Sequence, residues 1–176
     1  MKSFRFACFG GQGIVLMSQV MAHAGVREGK EVFCLPSYGA EMRGGTSNCL
    51  VTMSEGELEA PITAHVDVLV AMNQFSLDRF ELSVKPGGLL LYNTSLIGGS
   101  PSRKDVQVLG VPATGMAEKI GRPLLANMIA LGLLAGKGYV GLEALEAALK
   151  EMLSGNPELL ADDLTAVRNG AEFRGE

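Results

Sequence analysis

A chain of 176 residues suits one domain, 1–176, with a single sizeable core, and 47% hydrophobic against 19% charged residues excludes intrinsic disorder. A net charge of −4, with basic residues scattered rather than striped, excludes nucleic acid as a main partner. So few charges suit either a large core or a surface covered by another subunit.

Residues 5–9 read as a buried first strand, ended by Gly10, Gly11 and Gly13. Over 14–28, Val15, Leu16, Val20 and Met21 recur near helical spacing, and Gly29 stops the helix. Residues 31–35 form a second strand, so the opening order predicts a crossover and a parallel pair. A polar, glycine-rich loop is expected over 36–45. Residues 46–53 alternate as a strand does, followed by a turn at 54–57. If that strand pairs antiparallel with its neighbours, the sheet is mixed.

Further strands are expected at 66–71, 89–93 and 106–111, with a helix over 73–83 and a turn at 85–88. After Pro112 the chain reads as helical, over 114–120, 123–136, 142–153 and 157–171. Pro123 and Pro157 fall in first helical turns, where a missing N–H is tolerated. The 123–136 helix, with Leu124, Leu125, Met128, Ile129, Leu131, Leu133 and Leu134, has no polar face. Such a helix is either central to its own domain or shared with a second subunit. The expected fold is an α/β, Rossmann-like layered domain. It has a mostly parallel sheet flanked by helices and a helical C-terminal third.

The cysteines Cys8, Cys34 and Cys49 lie in apolar strand-like segments, not in C-x-x-C pairs, and read as structural free thiols. No metal site is expected from this chain alone. The apolar 123–136 segment is shorter than the roughly 20 residues of a membrane span, and strand followed by turn at the N-terminus is not a signal peptide. The expected location is the cytoplasm, without membrane contact.

Two segments have the composition of a site. The first is Gly10-Gly11-Gln12-Gly13, between a strand and a helix, where tight turning and a helix N-terminus suit a phosphate or carboxylate. Position 16 is Leu16, so the dinucleotide fingerprint is incomplete, and no acidic residue follows the second strand. A structural turn explains these glycines as well as a ligand does. The second segment is Pro36-Ser37-Tyr38-Gly39-Ala40-Glu41-Met42-Arg43-Gly44-Gly45. Arg43 suits a two-pronged contact with carboxylate or phosphate, and Gly44 and Gly45 permit close approach. A simple Glu41–Arg43 surface pair is the plainer alternative.

Neither a nucleophilic triad, a phosphate-loop lysine, nor a zinc-protease motif is present, and His23 and His65 read as packing or surface residues. On residues alone the chemistry stays open between an enzyme subunit, a stand-alone nucleotide- or flavin-binding module, and a purely structural assembly subunit.

These two segments, followed by Asp67-Val68-Leu69-Val70-Ala71-Met72-Asn73 and Lys85-Pro86-Gly87-Gly88, resemble the gamma subunit of 2-oxoacid:ferredoxin oxidoreductases. The resemblance runs over about 6–149 and carries four motifs in the family's order. It implies a complex that decarboxylates a 2-oxoacid on thiamine diphosphate, passes the acyl group to coenzyme A, and sends electrons through iron–sulfur clusters to ferredoxin. The implied partners are alpha, beta and delta subunits, which hold the cofactors, so this chain is expected to hold none and to be inert alone. The residues expected to face the cofactor or shared active site are Gly10, Gly11, Gln12, Gly13, Ser37, Tyr38, Glu41, Arg43, Gly44 and Gly45. No residue is assigned a catalytic role. The Pro-Ser-Tyr-Gly wording is more similar to the 2-oxoglutarate and branched-chain relatives than to the pyruvate enzymes.

Overall fold

A computed structural model describes residues 1–11, 13–38 and 46–174. In chain order the strands and helices are β1 (Lys2–Phe9), α1 (Ile14–Arg27), β2 (Glu31–Tyr38), β3 (Thr46–Ser54) and β4 (Val66–Ala71). They continue with α2 (Gln74–Phe80), β5 (Val84–Asn93), β6 (Gln107–Val111), α3 (Ala113–Ile120), α4 (Ala126–Gly136), α5 (Leu142–Met152) and α6 (Pro157–Glu172). Short 3-10 turns at Glu81–Ser83 and Pro123–Leu125 follow α2 and precede α4.

The six strands lie in the order β2-β3-β1-β4-β5-β6. The pairs β1–β4, β4–β5 and β5–β6 are parallel, while β3 is antiparallel to both β1 and β2. The sheet is therefore mixed, within the expected α/β class. The expected parallel pairing of the first two strands does not occur. β1 and β2 run the same way, but β3 returns between them and supplies hydrogen bonds to both.

Period-two alternation sorts the side chains into two layers. Phe4, Phe6 and Cys8 of β1 face a core shared with α1, α3, α4, α5 and α6, together with Val68 and Val70 of β4. Ala7, Leu69 and Leu90 face the opposite side, where Leu77 and Phe80 of α2 cover them. Every residue of α4 from Ala126 to Leu134 is buried by this chain's own elements, so its all-apolar surface belongs to a central helix. Leu124, expected within that helix, instead sits on the preceding 3-10 turn and is exposed.

Two boundaries differ from the sequence reading. Pro36, Ser37 and Tyr38 belong to β2 rather than to a loop; β2 is an edge strand, where a missing proline N–H is tolerated. Residues 85–88 are not a free turn but lie within β5. There the register jumps from Val66↔Val84 to Val68↔Leu89, a bulge that Gly87 permits with φ 76°. The Gly87 N–H donates to the Asp105 carbonyl at 2.7 Å, which fastens the bulge to the approach to β6.

Candidate functional site

The chain leaves β1 through α1 toward β2 on one side of the sheet and leaves β4 through α2 toward β5 on the other. Such a reversal opens a crevice at the carboxyl ends of the two strands, the usual place for a ligand in an α/β sheet. Its β1 lip is the glycine-rich turn. Gly11 and Gly13 have φ of 93° and 76°, a region that side chains strain to enter, and Gly13 hands the chain directly into α1. First-turn N–H groups of a helix have no intrahelical acceptor, so this lip presents a positive dipole end.

Gly10 differs from its neighbours. Its φ is not in the left-handed region, and a Cβ there would meet no described heavy atom within 4 Å. Among the described residues, neither turning nor packing requires glycine at position 10.

The far wall is built from amides. Asn127, at the start of α4, donates its Nδ2 to the Gly13 carbonyl at 3.1 Å, and its Oδ1 accepts the Met128 N–H at 2.8 Å. Asn73 lies two residues beyond β4 and accepts the Ser76 N–H at 2.9 Å on its side chain, starting α2 as an N-cap does. Asn93 ends β5, and its Nδ2 donates to Thr114 Oγ1 at 2.8 Å. All three asparagines are buried. Between them Met72, Leu96, Thr114, Pro123, Leu124, Ala126 and Asn127 line a small, mostly apolar cleft of about 150 Å³.

Apolar side chains rim the crevice on the solvent side. Phe9 and Phe75, from the end of β1 and the start of α2, have ring centroids 6.4 Å apart and are 37% and 52% exposed. Leu96 and Leu124 are 47% and 68% exposed. Cys8, the nearest thiol along β1, is pushed up to about 12 by burial, against a hydrogen bond from the Ile14 backbone, so it stays protonated and inert. The described surroundings thus offer backbone N–H groups, amides and apolar contact. They can bind and orient a ligand, but they hold no residue for proton transfer.

The two segments singled out from sequence leave the sheet at one edge. Thr46 pairs with Phe9, just before Gly10, and Ser47 pairs with both Cys8 and Tyr38. Gly10, Gly11 and Gly13 form the β1–α1 turn, and Ser37 and Tyr38 end β2 beside it across β3. Gln12, Glu41, Arg43, Gly44 and Gly45 lie outside the described residues. Asp67 and Lys85 sit at the opposite end of the sheet and serve the fold. The Asp67 carboxylate accepts the Ser3 N–H at 2.8 Å, the Ser3 hydroxyl at 2.7 Å and the Lys85 ammonium at 3.0 Å. Sequence reasoning did not select Asn127, Asn73, Asn93 or Thr114. The available signal was the polar side chain at strand ends and at the head of an otherwise apolar helix.

Residues 3–173 match the family model described as pyruvate ferredoxin/flavodoxin oxidoreductase. The chain belongs to this family. Its relatives include the ketoisovalerate oxidoreductase subunit VorA of Methanothermobacter thermautotrophicus, 38% identical over 98% of this chain. The chain spans only 36% of that relative's length. The 2-oxoglutarate synthase subunit KorC of Methanocaldococcus jannaschii is 31% identical over 99% of this chain and 95% of its own. Among solved structures, the gamma subunit of the keto/oxoacid ferredoxin oxidoreductase of Geobacter sulfurreducens superposes with a TM-score of 0.83. It has 32% identity and covers 98% of this chain and 97% of that one. The 2-oxoglutarate:ferredoxin oxidoreductase of Magnetococcus marinus gives 0.87 at 26% identity, over 97% of this chain and 30% of that one.

The family's electron-transfer chemistry implies iron–sulfur clusters, which need about four thiolates each. This chain has three cysteines, of which Cys34 and Cys49 are in contact, so its own residues do not fit such a cluster.

Proposed function

We propose that this chain is the gamma-type subunit of a 2-oxoacid:ferredoxin oxidoreductase. The complex carries out coenzyme-A-dependent oxidative decarboxylation of a 2-oxoacid in the cytoplasm, with 2-oxoglutarate or a branched-chain acid as the favoured substrate. Alpha, beta and delta subunits hold thiamine diphosphate and the iron–sulfur clusters and deliver electrons to ferredoxin. The gamma chain contributes the edge carrying Gly10, Gly11, Gln12, Gly13, Ser37, Tyr38, Glu41, Arg43, Gly44 and Gly45. That edge faces the active site shared with a partner subunit, and Arg43 contacts an anionic group of substrate or coenzyme A.

The observation that carries this reading is the open space over Gly10 beside the exposed Phe9 and Phe75. A glycine that none of the described residues requires, set in an apolar rim, suits close approach by something outside the chain. The VorA relative of nearly three times the length supports the same view, because there an equivalent segment sits within a longer polypeptide. The absence of an acid or base around the described crevice fits a subunit that positions rather than transforms.

The test is anaerobic purification of the chain with its native partners, followed by coenzyme-A-dependent reduction of a viologen dye by several 2-oxoacids. Activity on 2-oxoglutarate or a branched-chain acid, lost on removing this chain and reduced at least tenfold by Arg43→Ala in an intact assembly, is the expected result. A chain that purifies without partners, carrying a stoichiometric nucleotide or flavin, overturns it.

A further inference from the structure

Away from the crevice, near the β2 edge of the sheet, lies a pair of thiols that the proposed function does not use. Cys34 on β2 and Cys49 on β3 point to the same face, because Cys34 pairs with Val51 while Cys49 pairs with Pro36. They are diagonal neighbours, and their Sγ atoms are 3.4 Å apart. Cys34 is half-buried and Cys49 buried. Both line a cleft of about 270 Å³ walled by Val15, Gln19, Ala22 and His23 of α1 and by Pro36. A small reagent therefore has a way in, and it meets both sulfurs at once.

We infer that Cys34 and Cys49 form a reversible dithiol–disulfide site, oxidised by a small hydroperoxide that enters through the His23 cleft. The sulfurs need to close by ~1.4 Å to reach the disulfide length of about 2.05 Å. The electrostatics agree. A hydrogen bond from Cys34 holds the Cys49 thiol below its ordinary value, to about 7, and the same bond raises Cys34. Near neutral pH the pair therefore holds one proton between two sulfurs.

That proton sits on Cys34, which leaves the Cys49 sulfur as the thiolate, the nucleophilic form. It attacks the outer oxygen of the hydroperoxide: an S–O bond forms, the O–O bond breaks, and the alkoxide takes the Cys34 proton and departs as alcohol. The Cys34 thiolate then attacks the Cys49 sulfur of the sulfenic acid. The S–S bond forms and the S–O bond breaks, and hydroxide leaves and takes a proton from the buffer. Two electrons pass from sulfur to peroxide oxygen, and one alcohol and one water are released.

The consequence reaches the site edge. Cys34 and Cys49 sit on the two strands that carry the chain into and out of residues 39–45, so the disulfide clamps the stems of the segment that holds Arg43.

The inference does not depend on the proposed activity, and its readout is chemical. The full-length chain, reduced and freed of reductant, is titrated anaerobically with hydrogen peroxide and followed by intact mass, thiol alkylation and peptide mapping. The expected result is loss of two hydrogens with a Cys34–Cys49 cross-linked peptide, full reversal by dithiothreitol, and an unmodified Cys8. Cys34→Ser should trap Cys49 as a sulfenic acid that dimedone captures, and Cys49→Ser should slow reaction at position 34 at least tenfold. Oxidation that begins at Cys8, disulfides only between molecules, or equal rates in wild type and Cys49→Ser would each overturn the inference. The wild-type peptide map keeps the test decisive even if a serine variant folds poorly.

Discussion

Asn127 donates its side-chain amide to the carbonyl of Gly13 at 3.1 Å, joining the first turn of the chain to a helix 114 positions later. The contact leaves no room at Gly13, where a Cβ would lie 2.5 Å from Asn127 Nδ2, and the backbone φ of 76° already disfavours any side chain. Gly13→Ala is expected to cost about 1–3 kcal/mol, or a fall in Tm of roughly 3–10 °C for a domain of this size. Asn127→Ala removes the donor and leaves the Gly13 carbonyl without it, at a cost of about 1–2 kcal/mol. Combining the two should cost clearly less than the sum, because the clash disappears with the amide. Thermal unfolding followed by circular dichroism measures all three.

The crossing of α4 with α6 rests on glycine in both helices. A Cβ at Gly132 would stand 1.9 Å from the Val167 carbonyl oxygen, and one at Gly170 would stand 2.0 Å from that of Ile129. These are backbone neighbours, which cannot swing aside as a side chain can. Gly132→Ala and Gly170→Ala are each expected to destabilise by about 3 kcal/mol or more, despite the better helix propensity of alanine. Gly155→Ala is the control: its Cβ would meet nothing within 4 Å, so little change is expected. Urea unfolding midpoints of the three variants separate packing from propensity.

Element positions were legible where local pattern decides them. The strand at Val66–Ala71 is wholly buried but for one residue, and a continuous apolar run between polar segments marks it without help from pairing. The helices from Ala113 onward follow from spacing and from Pro157 at a first turn. What local pattern lacks is the partner. Nothing in residues 31–35 tells that β3 will fold back between β1 and β2, since that depends on hydrogen bonds closed after the hairpin turns. The bulge at Gly87 misleads in the same way, because Pro86-Gly87 has turn chemistry whether or not a strand continues beyond it. In the turn after β1, Gly11 and Gly13 were legible because positive φ restricts residue choice. The amides of Asn73, Asn93 and Asn127 were not, because their partners lie on other elements or in loop backbone.

Asp67 makes stability fall in acid. Burial works to raise its carboxyl, but hydrogen bonds from Ser3 and Lys85 outweigh burial and hold it below the ordinary 3.8. A carboxyl lowered in the folded state stabilises above its unfolded value, and that contribution is lost as pH falls through the folded one. The wild type should therefore lose stability as pH drops below about 4, and Asp67→Asn should show a shallower acid limb. At pH 7, Asp67→Ala should cost about 1–3 kcal/mol, since Ser3 is fully buried and loses its acceptor. Chemical denaturation at several pH values between 3 and 7 distinguishes the two.

Asp163 acts in the opposite sense. It lies buried on α6, and its Oδ2 has no hydrogen-bond partner among the described residues. Burial first, then the neighbouring Asp162, raises its carboxyl from 3.8 to about 6, and Arg122 only partly offsets this. Arg122 is engaged elsewhere, with Asp162 at 2.9 Å and Glu158 at 3.0 Å. A carboxyl raised in the folded state favours folding below its unfolded value, and that benefit is lost as pH rises through about 6. Above that pH the fold carries an ionised, poorly solvated carboxylate, at a cost of roughly 1–2 kcal/mol once partial solvent screening is allowed for. Asp163→Asn removes the ionisation, so it should raise Tm at pH 8 and leave it nearly unchanged at pH 4. The difference between the two proteins should grow from about pH 4 and level off above about 6. A difference that stays constant with pH would assign the substitution's effect to packing around α6 rather than to a buried charge.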